Sequence, residues 1–194
     1  MIRIVLFYLA IQLNGLLVSL YLHDYMTIKV LILLQMLLLG VACLEITHRK
    51  TVQAKNITLQ NRLRWLLLGF ECMVAFAVLI SFLFPVQTRN QAVLVQVGKQ
   101  VLPIIFLLFL ANASVLEEIV YKQLLWEKLI LPFVQIGVTS FLFALSHGPN
   151  QLGSWLMYIC LGLTLAVVRL KTDCKAAIIL HLLWNSLVSV LTFL

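Results

Sequence analysis

Charge is what this sequence has least of. Lys, Arg, Asp and Glu make up 11% of its 194 residues, against 63% hydrophobic ones, and the mean hydropathy is +1.07. Soluble domains carry about 25% charged and about 45–50% apolar residues, so polar surface is too scarce here to cover a water-facing globule. Disorder, collagen-like repeats and low-complexity arms are excluded on the same ground. Acidic residues are the rarer sign, 7 against 14 Lys and Arg, for a net charge of +7. The cations stand between hydrophobic runs, where they report membrane orientation, and no nucleic-acid partner is expected. CxxC spacing is missing. Cys43, Cys72, Cys160 and Cys174 lie in or beside apolar segments and read as small buried side chains, with no disulfide framework or zinc ribbon. A signal-peptide cleavage pattern is also missing after the first run, which is long enough to span a membrane.

What is present is a succession of apolar runs. A spanning helix needs roughly 20 mostly apolar residues, because each rises about 1.5 Å through a core about 30 Å thick. Runs near 2–22, 28–46, 65–85, 101–121, 133–147, 152–169 and 176–194 predict an all-α transmembrane bundle of about seven spans (six to eight), one membrane-embedded domain over 1–194. The spans within 1–100 are the less defined part. His23-Asp24-Tyr25 marks a short turn, 47–64 a polar and basic loop, and 87–100 a weakly amphipathic connector, while Pro132 and Gly148-Pro149 punctuate the later runs. With the N-terminus in the cytosol, Arg3, Arg49, Lys50, Lys55, Arg62, Arg64, Lys122, Lys128, Arg169, Lys171 and Lys175 fall inside, and only Lys29, Arg89 and Lys99 outside. That asymmetry predicts a multi-pass cell-membrane protein with a cytosolic N-terminus and, for seven spans, an external C-terminus.

The informative residues are the polar ones at membrane depth, where a charge costs at least about 2.5–3.5 kcal/mol and needs a partner or a task. Asn14, Gln35 and Asn112 suit hydrogen bonds between helices. Glu45 and Glu71 suit ion pairs with nearby Arg or Lys. Glu117, Glu118, His147, His181 and Asn185 form a pattern instead. Glu118 and Lys122 are one helical turn apart and are expected to pair on one face. Glu117 projects about 100° away and stays free for proton transfer. Phe143 stands four residues before His147, and His181 four before Asn185. Each element alone is an ordinary helix end or a packing histidine; the ordered set is what points to chemistry.

That set resembles the CPBP family of intramembrane endopeptidases, which takes in type II CAAX prenyl proteases and bacteriocin-processing or self-immunity (Abi-like) proteins. The family signature EExxxR, FxxxH and HxxxN is similar to Glu117-Glu118-Ile119-Val120-Tyr121-Lys122, to Phe143-Ala144-Leu145-Ser146-His147, and to His181-Leu182-Leu183-Trp184-Asn185. The resemblance covers about residues 100–194 and implies a catalytic core there. Its site residues would be Glu117, Glu118, His147, His181 and Asn185, supported by Lys122 and Phe143. Lys122 replaces the motif's arginine, keeping the charge and losing the bidentate fork.

Two schemes for peptide hydrolysis fit these residue types. In one, Glu117 with His147 activates water while His181 and Asn185 donate to the tetrahedral intermediate. In the other, Glu117, His147 and His181 hold zinc, whose bound water attacks. No HExxH pair is present and asparagine is a poor zinc ligand, so the metal-free scheme is favoured, as the resemblance also implies, and no cofactor is favoured, with zinc the open alternative. Ser146 is expected to point away from its neighbour His147 and so to form no nucleophilic dyad. The expected partners are the bilayer and a peptide or membrane-anchored substrate, of CAAX type or a bacteriocin, leader or signal peptide. Two other readings stay open: a non-enzymatic immunity or regulatory protein of the same fold, and a small transporter, since Glu and His also build proton relays.

Overall fold

Backbone N–H and C=O groups in hydrocarbon must be paired within the chain, and a helix pairs them locally. The computed structural model describes residues 1–48, 57–84 and 89–193. Among them are eight α-helices and no strand: α1 (Ile2–Leu22), α2 (Ile28–His48), α3 (Leu59–Leu83), α4 (Arg89–Gln100), α5 (Pro103–Glu118), α6 (Pro132–Ser146), α7 (Leu152–Lys171) and α8 (Cys174–Phe193). Helical backbone does not stop at Glu118. It widens into π-helical turns over Ile119–Leu125 and closes with a tight turn at Trp126–Lys128. Among the described residues, six helices are long and apolar enough to cross a membrane, and α6 is a shorter apolar one of 15 residues. Each expected run is therefore a helix, with shifted ends: the third starts at Leu59 and the fourth runs on to Lys128. The connector 87–100 contains α4, a helix of 12 residues. Residues 49–56 of the expected 47–64 loop lie outside the described residues.

The ends of these helices follow local chemistry. Proline opens α5 and α6 in the first turn, where its missing N–H costs nothing. Thr58 accepts a hydrogen bond from the Asn61 N–H at 3.3 Å, and Gln151 and Ser154 cap α7 reciprocally. α6 stops because Gly148 adopts φ +58°, a left-handed conformation that glycine takes without a Cβ penalty.

α5 with its widened extension is the axis of the bundle: 61% of that span is buried, against 17% in each of α1, α2 and α3. The outer helices bury one stripe and expose Leu6, Leu9, Leu13 and Leu16 on α1 and Leu33, Met36, Leu37 and Val41 on α2. α6 and α7 meet almost backbone to backbone. A Cβ on Gly162 would lie 3.0 Å from Ser140 Cα and 3.2 Å from Phe143 Cδ1, the close approach that small residues permit between membrane helices.

The polar residues of the N-terminal half tie it to α5. Asn14 donates to the Phe109 carbonyl at 3.0 Å, Gln35 donates to the Asn14 carbonyl at 3.4 Å, and Asn112 donates to the backbone and side-chain oxygens of Gln35. Glu45 takes Arg3 as its partner, 3.6 Å away. Glu71 differs from expectation: it is exposed midway along α3 and has no ion-pair partner among the described residues. The cysteines are unpaired as expected, but Cys43 and Cys72 are exposed, because α2 and α3 bury so narrow a stripe; only Cys174 is fully buried.

Candidate active site

α5, α6 and α8 bring together the three segments singled out in the sequence. Glu117 stands well inside the helical run Pro103–Lys128 rather than at its end. His147 ends α6, which is too short to carry it across a bilayer. The two thus meet at similar depth, with His181 less than one turn short of the middle of α8.

The geometry is built around Glu117 Oε2. It lies 3.6 Å from His147 Nε2 and 4.0 Å from His181 Nε2, and no hydrogen bond within the protein reaches it. Both imidazoles present the same nitrogen because both have the other one occupied. His147 Nδ1 donates to the Phe143 carbonyl at 2.8 Å, a bond that fixes the proton on Nδ1 since a carbonyl only accepts. His181 Nδ1 donates to Glu118 Oε1 at 3.0 Å. Glu118 is wholly buried and Glu117 keeps 14% of its side chain exposed, so the adjacent carboxylates have separate surroundings.

The expected Glu118–Lys122 pair does not form. Widening of the turns begins at Ile119, between the two residues, and changes the angle at which residue 122 leaves the helix. Lys122 Nζ donates instead to Thr139 Oγ1 and to the Gly162 carbonyl, each at 3.1 Å, and lies 5.8 Å from the Phe143 ring centre. Phe143 separates this ammonium from the histidines, packing 4.5 Å from the His147 ring and 5.6 Å from that of His181. Lys122 and Arg169 were expected at the cytosolic surface, but both are buried. Arg169 donates from Nε to the Lys122 carbonyl at 2.8 Å and covers the face of Trp126, so the interior claims them for bracing the widened turns.

Asn185 is half-buried and donates to Ser114 Oγ at 2.9 Å, while that hydroxyl donates to the Leu110 carbonyl. Ser146 Oγ does come within 3.4 Å of His147 Nδ1, closer than a 100° separation suggests, yet it donates to the Phe143 carbonyl and meets a nitrogen that already carries a proton. No base is offered to it there. Among the described residues no group of three His, Cys, Asp or Glu side chains is arranged to hold a metal ion.

Two adjoining recesses reach this cluster. The smaller, about 60 Å³, is lined by Phe143, His147, Tyr158, His181, Trp184 and Asn185. The larger, about 380 Å³, opens between α1 and α4 over α5 and ends at Glu117, His147, His181 and Asn185. A carboxylate without a hydrogen bond, two imidazole lone pairs and an amide on one accessible recess can move protons to and from a water and stabilise an oxyanion.

Residues 99–187 match the model of a family described as type II CAAX prenyl endopeptidase Rce1-like. Over this segment the chain is similar to that family. The comparisons with curated proteins and with solved structures give no match. The Rce1-like segment begins in α4 and holds every residue of the cluster, from Ser114 through Asn185. With six long apolar helices among the described residues, this similarity supports a multi-pass membrane protein. Ser114, Thr139, Tyr158 and Arg169 serve this site without having been singled out in the sequence. Helical spacing tells which residues share a face of one helix, and these four act across helices.

Proposed function

We propose that the protein is an intramembrane endopeptidase in which Glu117 and His147 activate water against a peptide bond, and that no metal takes part. The observation that carries this reading is Glu117 Oε2, buried, hydrogen-bonded to nothing in the protein and facing both Nε2 atoms at the inner end of the larger recess. A water between Glu117 and His147 loses a proton to the carboxylate as its oxygen bonds to the scissile carbonyl carbon. The resulting oxyanion accepts hydrogen bonds from the Asn185 amide and from His181 Nε2 when that ring carries a second proton, held by Glu118 on Nδ1. Collapse breaks the C–N bond, and the proton taken by Glu117 passes to the leaving amine. A site walled by membrane helices suits a membrane-anchored substrate, a C-terminal CAAX-type or leader segment, approached from the cytosolic face that the flanking cations mark.

Positioned general bases contribute about 10²–10⁴-fold. Glu117→Gln keeps size and one acceptor but loses the base, so purified protein in lipid nanodiscs should lose at least about a hundredfold in cleavage rate with its unfolding midpoint unchanged. A chelator should leave the parent rate unaltered. Retention of activity by Glu117→Gln sinks the glutamate scheme, and chelator sensitivity moves Glu117, His147 and His181 into the role of zinc ligands.

A further inference from the structure

The larger recess has a wall that lies outside the Rce1-like segment. α1 brings Tyr8, Gln12 and Gly15 to it, opposite Glu117 and His147. Spacings of four and three put these residues on one stripe of the helix. Two features set the stripe apart from the rest of α1. Gln12 is exposed near mid-helix, where the neighbouring exposed residues Leu9, Leu13 and Leu16 are hydrocarbon; an amide there is costly against lipid and well placed against a wet recess. A Cβ added at Gly15 meets nothing within 4 Å, whereas at Gly69 and Gly162 it would touch neighbouring helices. Close packing therefore does not call for glycine at 15, and within a helix glycine is unfavourable for the backbone. What its missing side chain leaves is room in the recess.

Register supplies the distance. Asn14 bonds the Phe109 carbonyl, while Phe7 and Ile11 pack on the cluster that holds Leu116 and Ile119, so α1 runs antiparallel to α5 with Tyr8 near the level of Glu117. Gly15 lies two turns further, about 10 Å along the axis, a span of about three extended residues. We propose that α1 is the substrate-facing wall: the Tyr8–Gln12–Gly15 stripe lies along an extended peptide, and Gly15 sets the size of the side chain admitted about three residues from the bond presented to Glu117. This rests on the endopeptidase reading and adds a specificity-determining residue to it.

The test uses full-length protein in nanodiscs with Cys43, Cys72 and Cys160 replaced by alanine and catalysis removed by Glu117→Gln. A charged methanethiosulfonate reagent should modify Gly15→Cys and spare Leu16→Cys on the lipid-facing side. Prenylated peptides with a CAAX-type C-terminus, graded from glycine to tryptophan at one upstream position, should protect Gly15→Cys. Gly15→Leu should weaken binding of the tryptophan peptide at least tenfold relative to the glycine peptide, with the unfolding midpoint unchanged or raised. Equal labelling of the two cysteines, absence of protection by every peptide, or an unchanged tryptophan-to-glycine ratio in Gly15→Leu overturns the proposal. Protection together with no cleavage of any peptide by the Glu117-containing chain instead overturns the endopeptidase reading and leaves the α1 wall standing.

Discussion

Glu117 and Glu118 are neighbours in sequence with separate duties, and the difference is made by what their side chains meet. Glu118 is closed in and spends its Oε1 on His181; Glu117 reaches the recess with Oε2 unbonded. Lys122 belongs to neither, since its ammonium is bonded to Thr139 and the Gly162 carbonyl on the far side of Phe143. Two substitutions should therefore separate along different axes. Lys122→Ala strips a buried carbonyl of its donor and should destabilise by about 1–3 kcal/mol, and Lys122→Arg, which keeps the charge and adds donors, should lose less. Glu118→Gln keeps an acceptor for His181 Nδ1 but removes the negative charge, so cleavage should fall more than the unfolding midpoint does. Thermal unfolding in detergent beside cleavage rates reads both. If Lys122→Ala keeps its stability and loses its activity, the lysine acts at the reacting centre. The exchange of arginine for lysine in the motif thus falls on the scaffold, away from the recess.

At the scale of elements, the site depends on one helix that changes its pitch and two that touch. The widened turns over Ile119–Leu125 redirect Lys122 toward α6 and α7, and Arg169 of α7 holds the Lys122 carbonyl in return. Gly162 sets how close α7 comes to α6, and its carbonyl is also an acceptor for Lys122. Gly162→Ala would push a methyl against the Ser140 backbone, where no side chain can swing aside. Overpacking of this kind typically costs about 1–3 kcal/mol, and moving α6 also moves His147. Loss of stability and of cleavage together is the expected outcome; full retention of both would show that the two helices have slack. The apolar runs made the helices legible in the sequence, and the three motif segments made Glu117, His147, His181 and Asn185 legible as a set. The pitch change was not, because a single sequence read with α-helical spacing puts Glu118 beside Lys122. Nor were Ser114 and Arg169, whose partners lie on other helices.

For the whole molecule, the inside-out distribution of side chains follows from the solvent. α1, α2 and α3 leave their leucines exposed because lipid accepts them, and the same narrow burial exposes Cys43 and Cys72 while the interior encloses Cys174. In nanodiscs an apolar maleimide should modify Cys43 and Cys72 slowly, since hydrocarbon keeps a thiol protonated, and Cys174 only after unfolding, as peptide mass analysis would report. Rapid labelling of Cys174 in the folded protein would contradict the packing of α8 against the Glu118 carbonyl. The N-terminal half was legible only as lipid-compatible helices. Its part in the recess is carried by a glutamine and a glycine, residue types that state no chemistry until a neighbouring helix is placed opposite them.

The shortness of α6 has a consequence for the surrounding bilayer. Fifteen residues extend about 22 Å, some 8 Å less than the hydrocarbon thickness. A bilayer matched to the Pro132 end of α6 leaves the shortfall at Gly148, beside the larger recess. Lipid next to that edge must thin or give way to water, as hydrophobic mismatch requires. Headgroups and solvent are thereby drawn toward His147 without any channel having to cross the protein. Membrane thickness becomes a variable of the proposed reaction.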